Sequence, residues 1–187
     1  MGFLDKLFGS TASGEAGLAA YDRKDYATAI KLLRPLAGAG NASVQALMGG
    51  MYNEGQGVPQ DYKEAVKWWR LAAEQRDVGA QTNLGVMYAK GQGVPQDYKE
   101  AVKWWRLAAE QGAADAQFNL GAMYAKGQGV LQDYAYAHMW YSLASAAGGS
   151  KYAAINRHMV ATQMTPQQIE KAQEMAKAYQ ASNFKGC

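Results

Sequence analysis

Cysteine is almost missing. Cys187, the last of 187 residues, stands alone, so no disulfide forms within the chain. This fits a reducing compartment, and a cytoplasmic location is the expectation, although a disulfide-free secreted chain would have the same composition. The two histidines, His138 and His158, lie among apolar residues with no HExxH or Cys–His pattern, so neither a metal site nor a cofactor is expected. No apolar run reaches the ~18 residues needed to span a bilayer. Charge of one sign is also scarce. With 19 basic and 16 acidic residues the net charge is +3, too small to argue for nucleic acid or an anionic membrane. The opening MGFLDKLFGS lacks the basic start, long apolar run and cleavage site of a signal peptide. Lys6 stands where myristoylation needs Ser or Thr after Gly2. Phe3, Leu4, Leu7 and Phe8 share one side of a short helix, which leaves two readings open: a lid or frayed end, or a weak membrane-surface contact.

What the chain has is a repeat. Gly55 to Gln75, GQGVPQDYKEAVKWWRLAAEQ, returns unchanged at Gly91 to Gln111, an offset of 36, and a looser copy, GQGVLQDYAYAHMWYSLASA, starts 36 residues further on at Gly127. A fixed period in this range marks an array in which each unit is one supersecondary element and its neighbours supply the core. Residues 1–14 read as a short amphipathic piece followed by a Gly/Ser link at 9–14. Four helix pairs follow over 15–147, divided as 15–40, 41–76, 77–112 and 113–147, and two capping helices over 148–187.

Local signals place the helices. In the first pair, Ala16 to Arg23 and Tyr26 to Ala37 flank a turn at Lys24-Asp25, and Pro35 should kink or shorten the second helix. Asn41 and Asp77 are good N-caps. Gly55, Gly91 and Gly127 end first helices, where a left-handed residue is needed. Asp61 with Glu64, and Asp97 with Glu100, have capping-box spacing. Thr165, Pro166 and Gln168 open the last helix. Tyr152, Ile155 and Met159 form one apolar stripe near the C-terminus, and Ile169, Ala172, Ala176 and Tyr179 form another. Ala65, Trp68 and Ala72 recur at i, i+3 and i+7, with Val66 and Trp69 widening the stripe. A buried Trp contributes about 4–6 kcal/mol gross, so Trp68→Ala or Trp104→Ala is expected to cost about 3–5 kcal/mol.

The spaced positions Ala80, Leu84-Gly85, Tyr88, Gly91-x-Gly93-Val94, Asp97, Ala101, Trp104 and Ala108-Ala109 resemble the Sel-one-like repeat family, relatives of tetratricopeptide repeats with a longer turn. They recur at Ala116, Leu120-Gly121, Tyr124, Gly127-x-Gly129-Val130, Asp133, Ala137, Trp140 and Ala144, and more weakly from Val44 to Ala73. The resemblance covers about residues 42–147. It implies an all-α, right-handed α-solenoid of antiparallel helix pairs, about ten helices with the two-helix C-terminal cap, and a bacterial protein-binding adaptor.

Internal copies show where a ligand is expected. The first helices AQTNLGVMYAK and AQFNLGAMYAK differ only at Thr82/Phe118 and Val86/Ala122, spaced i, i+4 on one face. In tetratricopeptide-like arrays that face lines the peptide-binding groove. By resemblance the groove includes Thr82, Asn83, Val86, Lys90, Phe118, Asn119, Ala122 and Lys126. Asn83 and Asn119 suit a peptide backbone and Phe118 an apolar anchor. The alternatives are that the face drifts because nothing touches it, and that the Asn side chains satisfy buried backbone groups between repeats.

Other motifs carry less. Lys63, Lys67 and Arg70, repeated as Lys99, Lys103 and Arg106, share their helices with as many acids and read as a solvated outer face. The GQGV loops follow helices and lack the third Gly of a dinucleotide fingerprint. Ser182-x-x-Lys185 spells a penicillin-binding motif without its SDN and KTG partners. The expected function is a non-catalytic scaffold, monomeric or weakly oligomeric, that holds a protein or peptide segment. The alternatives are a β-lactamase or penicillin-binding-like hydrolase, as described for cysteine-rich relatives, and a purely structural component of a larger complex.

Overall fold

A computed structural model describes residues 12–148 and 151–182. The Phe3–Phe8 stripe, Gly149, Lys185 and Cys187 lie outside the described residues. Within them the chain forms ten helices and no strand. They are α1 (Ala12–Asp22), α2 (Tyr26–Gly38), α3 (Ala42–Glu54), α4 (Tyr62–Glu74), α5 (Val78–Lys90), α6 (Tyr98–Ala109), α7 (Ala114–Lys126), α8 (Tyr134–Ala146), α9 (Tyr152–Ala161) and α10 (Pro166–Ala181). The chain divides into two compact units, Met1–Gln96 and Asp97–Cys187, at the loop inside the third repeat.

The local signals set the helix ends. Asn41, Asp61, Asp77, Asp97 and Asp133 each cap a helix by accepting from backbone N–H groups in its first turn. Gly55, Gly91 and Gly127 close α3, α5 and α7 with φ of 70°, 67° and 67°. Thr165 and Gln168 form the full capping box of α10. At α4 and α6 only half of that box is made. Glu64 and Glu100 turn outward to Lys67 and Lys103. Two other expectations need correction. Helix α1 starts at Ala12, so residues 12–14 belong to its first turn instead of a link. Helix α2 runs through Pro35 to Gly38.

In the first unit α1 packs on α2, α2 on α3, α3 on α4 and α4 on α5. The core is built from small residues, with Ala20, Ala29, Ala37, Ala65 and Ala80 fully buried around Leu33, Val44, Met48 and Leu84. Trp69, not Trp68, takes the deep seat of α4. Trp69 is 4% exposed, and its Nε1 donates to the Ala46 carbonyl at 3.1 Å, whereas Trp68 is half-buried. The reason is Gly49 on α3: a methyl group there would overlap the Trp69 indole, so only glycine lets the two helices close. The turn glycines work the same way against backbone. Gly57 has φ 72°, and a Cβ on it would lie 2.5 Å from the Tyr26 carbonyl carbon, where the loop crosses the start of α2.

In the second unit α6 packs on α7, α7 on α8, and α8 carries both α9 and α10. Here both Trp104 and Trp105 are buried, at 7% and 3% exposure. Tyr141 faces Gly121, whose added Cβ would sit 2.7 Å from the ring. The last helices depart from the expected pattern. The stripe Tyr152, Ile155 and Met159 is exposed, at 53%, 54% and 61%, and α9 meets the core through Ala153 and Val160 instead. Helix α10 buries Ala172, Ala176 and Tyr179 as its sequence predicts.

Two side-chain ladders repeat within the units. Arg34, Arg70 and Arg106 on second helices each donate to a tyrosine hydroxyl 18 residues on: Tyr52, Tyr88 at 2.6 Å and Tyr124 at 2.9 Å. These arginines tie each second helix to the next first helix from the outer face, where Arg34 and Arg106 remain exposed and Arg70 is half-buried. Gln45, Gln81 and Gln117 are buried, and each amide nitrogen donates to a last-turn carbonyl of the preceding helix: Ala37, Ala73 and Ala109. The same carbonyls also accept from the backbone N–H groups of Gly40, Arg76 and Gly112 just past the helix ends.

Candidate functional site

The first helices position the expected groove residues. In the Met1–Gln96 unit, a hollow of about 430 Å³ opens between α3 and α5. Asn83, Val86 and Lys90 of α5 line it together with Asn53, Glu54 and Trp69. Thr82 is not part of the lining, and its hydroxyl donates to the Val78 carbonyl at 2.9 Å. Trp69 supplies one apolar wall, already fixed by its bond to Ala46. Glu54 and Lys90 bring opposite charges to the same hollow without forming an ion pair. Asn83 is exposed, and its amide bonds no protein group among the described residues. A lining that combines the amides of Asn53, Gln60, Asn83 and Gln92 with the flat apolar wall of Trp69 suits a polypeptide backbone better than a purely apolar ligand.

In the Asp97–Cys187 unit the equivalent residues lie on α7. Asn119 and Ala122 are half-buried and Lys126 is exposed, and the Asn119 amide is likewise without a protein partner among the described residues. The reading in which both Asn side chains satisfy buried backbone groups is therefore not what the structure shows. Phe118 is half-buried, its ring 5.6 Å from that of Tyr141 and tilted by 53°. It packs onto a cluster of Ala137, Tyr141 and Val160, so part of the ring is used by the core.

One group of residues with the same spacing escaped the 36-residue comparison. Advancing 37 residues from Phe118, Asn119 and Ala122 reaches Ile155, Asn156 and Met159 on α9. The extra residue lies in the Gly-rich join before α9, so a search at fixed period passes over them, and the repeated Asn is the signal that finds them. Asn156 hydrogen-bonds Tyr141. Burial pushes the Tyr141 hydroxyl up from its ordinary pKa, and that bond opposes the rise.

The hydrolase motif finds no support here. Ser182 caps α10, and its hydroxyl donates to the Tyr179 carbonyl at 2.9 Å. His138 is buried with Nδ1 unpartnered, and burial, helped by the charge of Arg157, holds its pKa below 6.5. Among the described residues no group of three or more His, Cys, Asp or Glu side chains is placed to hold a metal ion. No helix among them is long and apolar enough to cross a membrane.

Residues 42–77, 78–112 and 114–149 each match the family model for the Sel1 repeat. The chain belongs to the Sel1 repeat family. Helix pair α1–α2 lies outside the matched stretches. Among solved structures, the chain is similar to a protective antigen present in uropathogenic Escherichia coli strains that displays an SLR fold, with 42% identity and a TM-score of 0.71. It is also similar to a Sel1 repeat protein from Oxalobacter formigenes, with 36% identity and a TM-score of 0.68. Each alignment covers 74% of this chain, but only 30% and 55% of those two chains. No curated protein sequence matches it. Sel1 repeats are generally protein-interaction scaffolds, and the helix pairs packed in chain order fit that class.

Proposed function

We propose that this Sel1 repeat chain is a non-catalytic scaffold that holds a polypeptide segment along the variable face of its first helices. Asn83, Val86 and Lys90 serve in the first unit, and Phe118, Asn119, Ala122 and Lys126 in the second. Thr82 borders the face and shapes it. The observation that carries this reading is the pair of uncommitted amides, Asn83 and Asn119, on a face that varies while the packing residues around it stay constant. An amide that donates and accepts can pair with an extended backbone whatever its sequence, leaving the variable neighbours to select side chains.

The test starts with peptides selected from a display library on the full chain. Their affinity is then measured for the parent, Asn83→Ala, Val86→Glu and the combined Thr82/Phe118/Asn119 alanine variant. We expect about a tenfold loss or more in each, roughly 1.4 kcal/mol, with unchanged melting in the two single variants. Unchanged affinity in all three would favour a purely architectural role.

A further inference from the structure

We propose a second binding site, in the Asp97–Cys187 unit, that receives a neutral aromatic ring. Helix α10 crosses α8 and leaves beside it a cavity of about 670 Å³, within the size range of small-ligand pockets. Its floor is Met139, Trp140 and Tyr179, all buried, with the Trp140 and Tyr179 rings edge to face at 5.1 Å. One wall is Tyr136, stacked on Tyr124 at 5.1 Å and 18° and still 42% exposed.

The repeats show that this lining is particular to the last unit. The positions of Tyr136 and Met139 are held by Glu64 and Lys67 in α4 and by Glu100 and Lys103 in α6, which pair with each other in solvent. Packing by α10 accounts for Met139. It does not account for Tyr136, a large ring left partly open beside unfilled space. Trp140 Nε1 is buried without a partner, but so are Trp68 Nε1 and Trp104 Nε1, so that nitrogen alone does not mark the site.

Charge selects among ligands. Arg106 and Lys171 at the mouth are balanced by Glu110 and Glu174, so neither a cation nor an anion gains from the field. Ring edges and faces with thioethers favour a flat, polarisable, uncharged group over an aliphatic one of equal size. Such a ring can come from a free small molecule or from an aromatic residue of a polypeptide.

Methyl-labelled methionine gives the direct measurement on the full chain, because an aromatic guest shifts the Met139 and Met175 signals by its ring current. The probes are N-acetyltyrosinamide, N-acetylleucinamide, tetramethylammonium and the peptide Ser-Gly-Tyr-Gly-Ser. N-acetyltyrosinamide is expected to shift both signals saturably while Met51 stays still, with the leucine amide and the cation at least about tenfold weaker. Two variants should weaken binding to a similar degree. Ala178→Trp fills the space from an exposed helix position, and Tyr136→Glu restores the residue that the second and third repeats carry. Tighter binding of the peptide than of the amide assigns the ring to a polypeptide, and equal or weaker binding assigns it to a small molecule. No saturable shift, equal response to the aliphatic or cationic probe, or full binding by both folded variants overturns the proposal.

Discussion

At the scale of the residue, a glycine decides which tryptophan carries the fold. Both members of the Trp68-Trp69 pair fit an apolar stripe, and sequence spacing favoured the first. Gly49 opens the seat that Trp69 enters, and Trp68 stays half-exposed. Trp69→Ala should therefore cost about 3–5 kcal/mol in chemical denaturation, and Trp68→Ala about 1–2 kcal/mol. Equal costs would show that the two rings share the burial. His138 gives a pH signature. Its folded pKa is depressed, so as pH drops below 6.5 the unfolded chain takes up a proton first. The His138 contribution to stability is thus intact above that value and is lost as pH falls through the folded pKa. His138→Phe should flatten the fall in melting temperature between neutral pH and about pH 5.

At the scale of the element, the glutamine ladder shows how one helix end is tied to the next and where the tie is missing. Gln75, just past α4, donates to Gln45 Oε1 at 2.7 Å. The position equivalent to Gln75 after α8 is Ala147, with φ −79° and ψ 7° against −87° and 13° at Gln75. Gln117 Oε1, the atom such a residue would reach, is buried with no partner. Ala147→Gln should supply that bond and stabilise the chain by about 0.5–1.5 kcal/mol, read from the denaturation midpoint. A neutral or destabilising result would mean that α9 blocks the approach. The same comparison shows why the α9 stripe was misjudged. Period alone says that Tyr152, Ile155 and Met159 share a face, but which face meets the core depends on a one-residue shift in the preceding join. The buried residues turned out to be Ala153 and Val160.

At the scale of the whole molecule, the 36-residue period made the fold class legible before any packing was known. Helix pairs, caps and turn glycines follow from local chemistry that each copy repeats. The arginine–tyrosine ties were also written in the sequence, as an 18-residue interval kept at Arg34, Arg70 and Arg106 and broken at Ser142, but a charge count could not tell a tie from a solvated side chain. The hollow between α3 and α5 was legible only in part. Asn83, Val86 and Lys90 stood out by comparison of copies, whereas Asn53 and Glu54 reach it from α3, and Trp69 of α4 recurs as Trp105 and so reads as core packing alone. The cavity beside α10 left a trace in the replacement of a Glu–Lys pair by Tyr136 and Met139.

The central claim is that a polypeptide lies against the α5 face. A photo-crosslinking residue at Val86 tests it most directly, with the same residue at Leu131, which is 91% exposed, as the control. In cells of the source organism, position 86 should yield discrete adducts whose mass spectra contain a second polypeptide, and position 131 should not. Equal labelling from both positions, or none from Val86, would contradict the account.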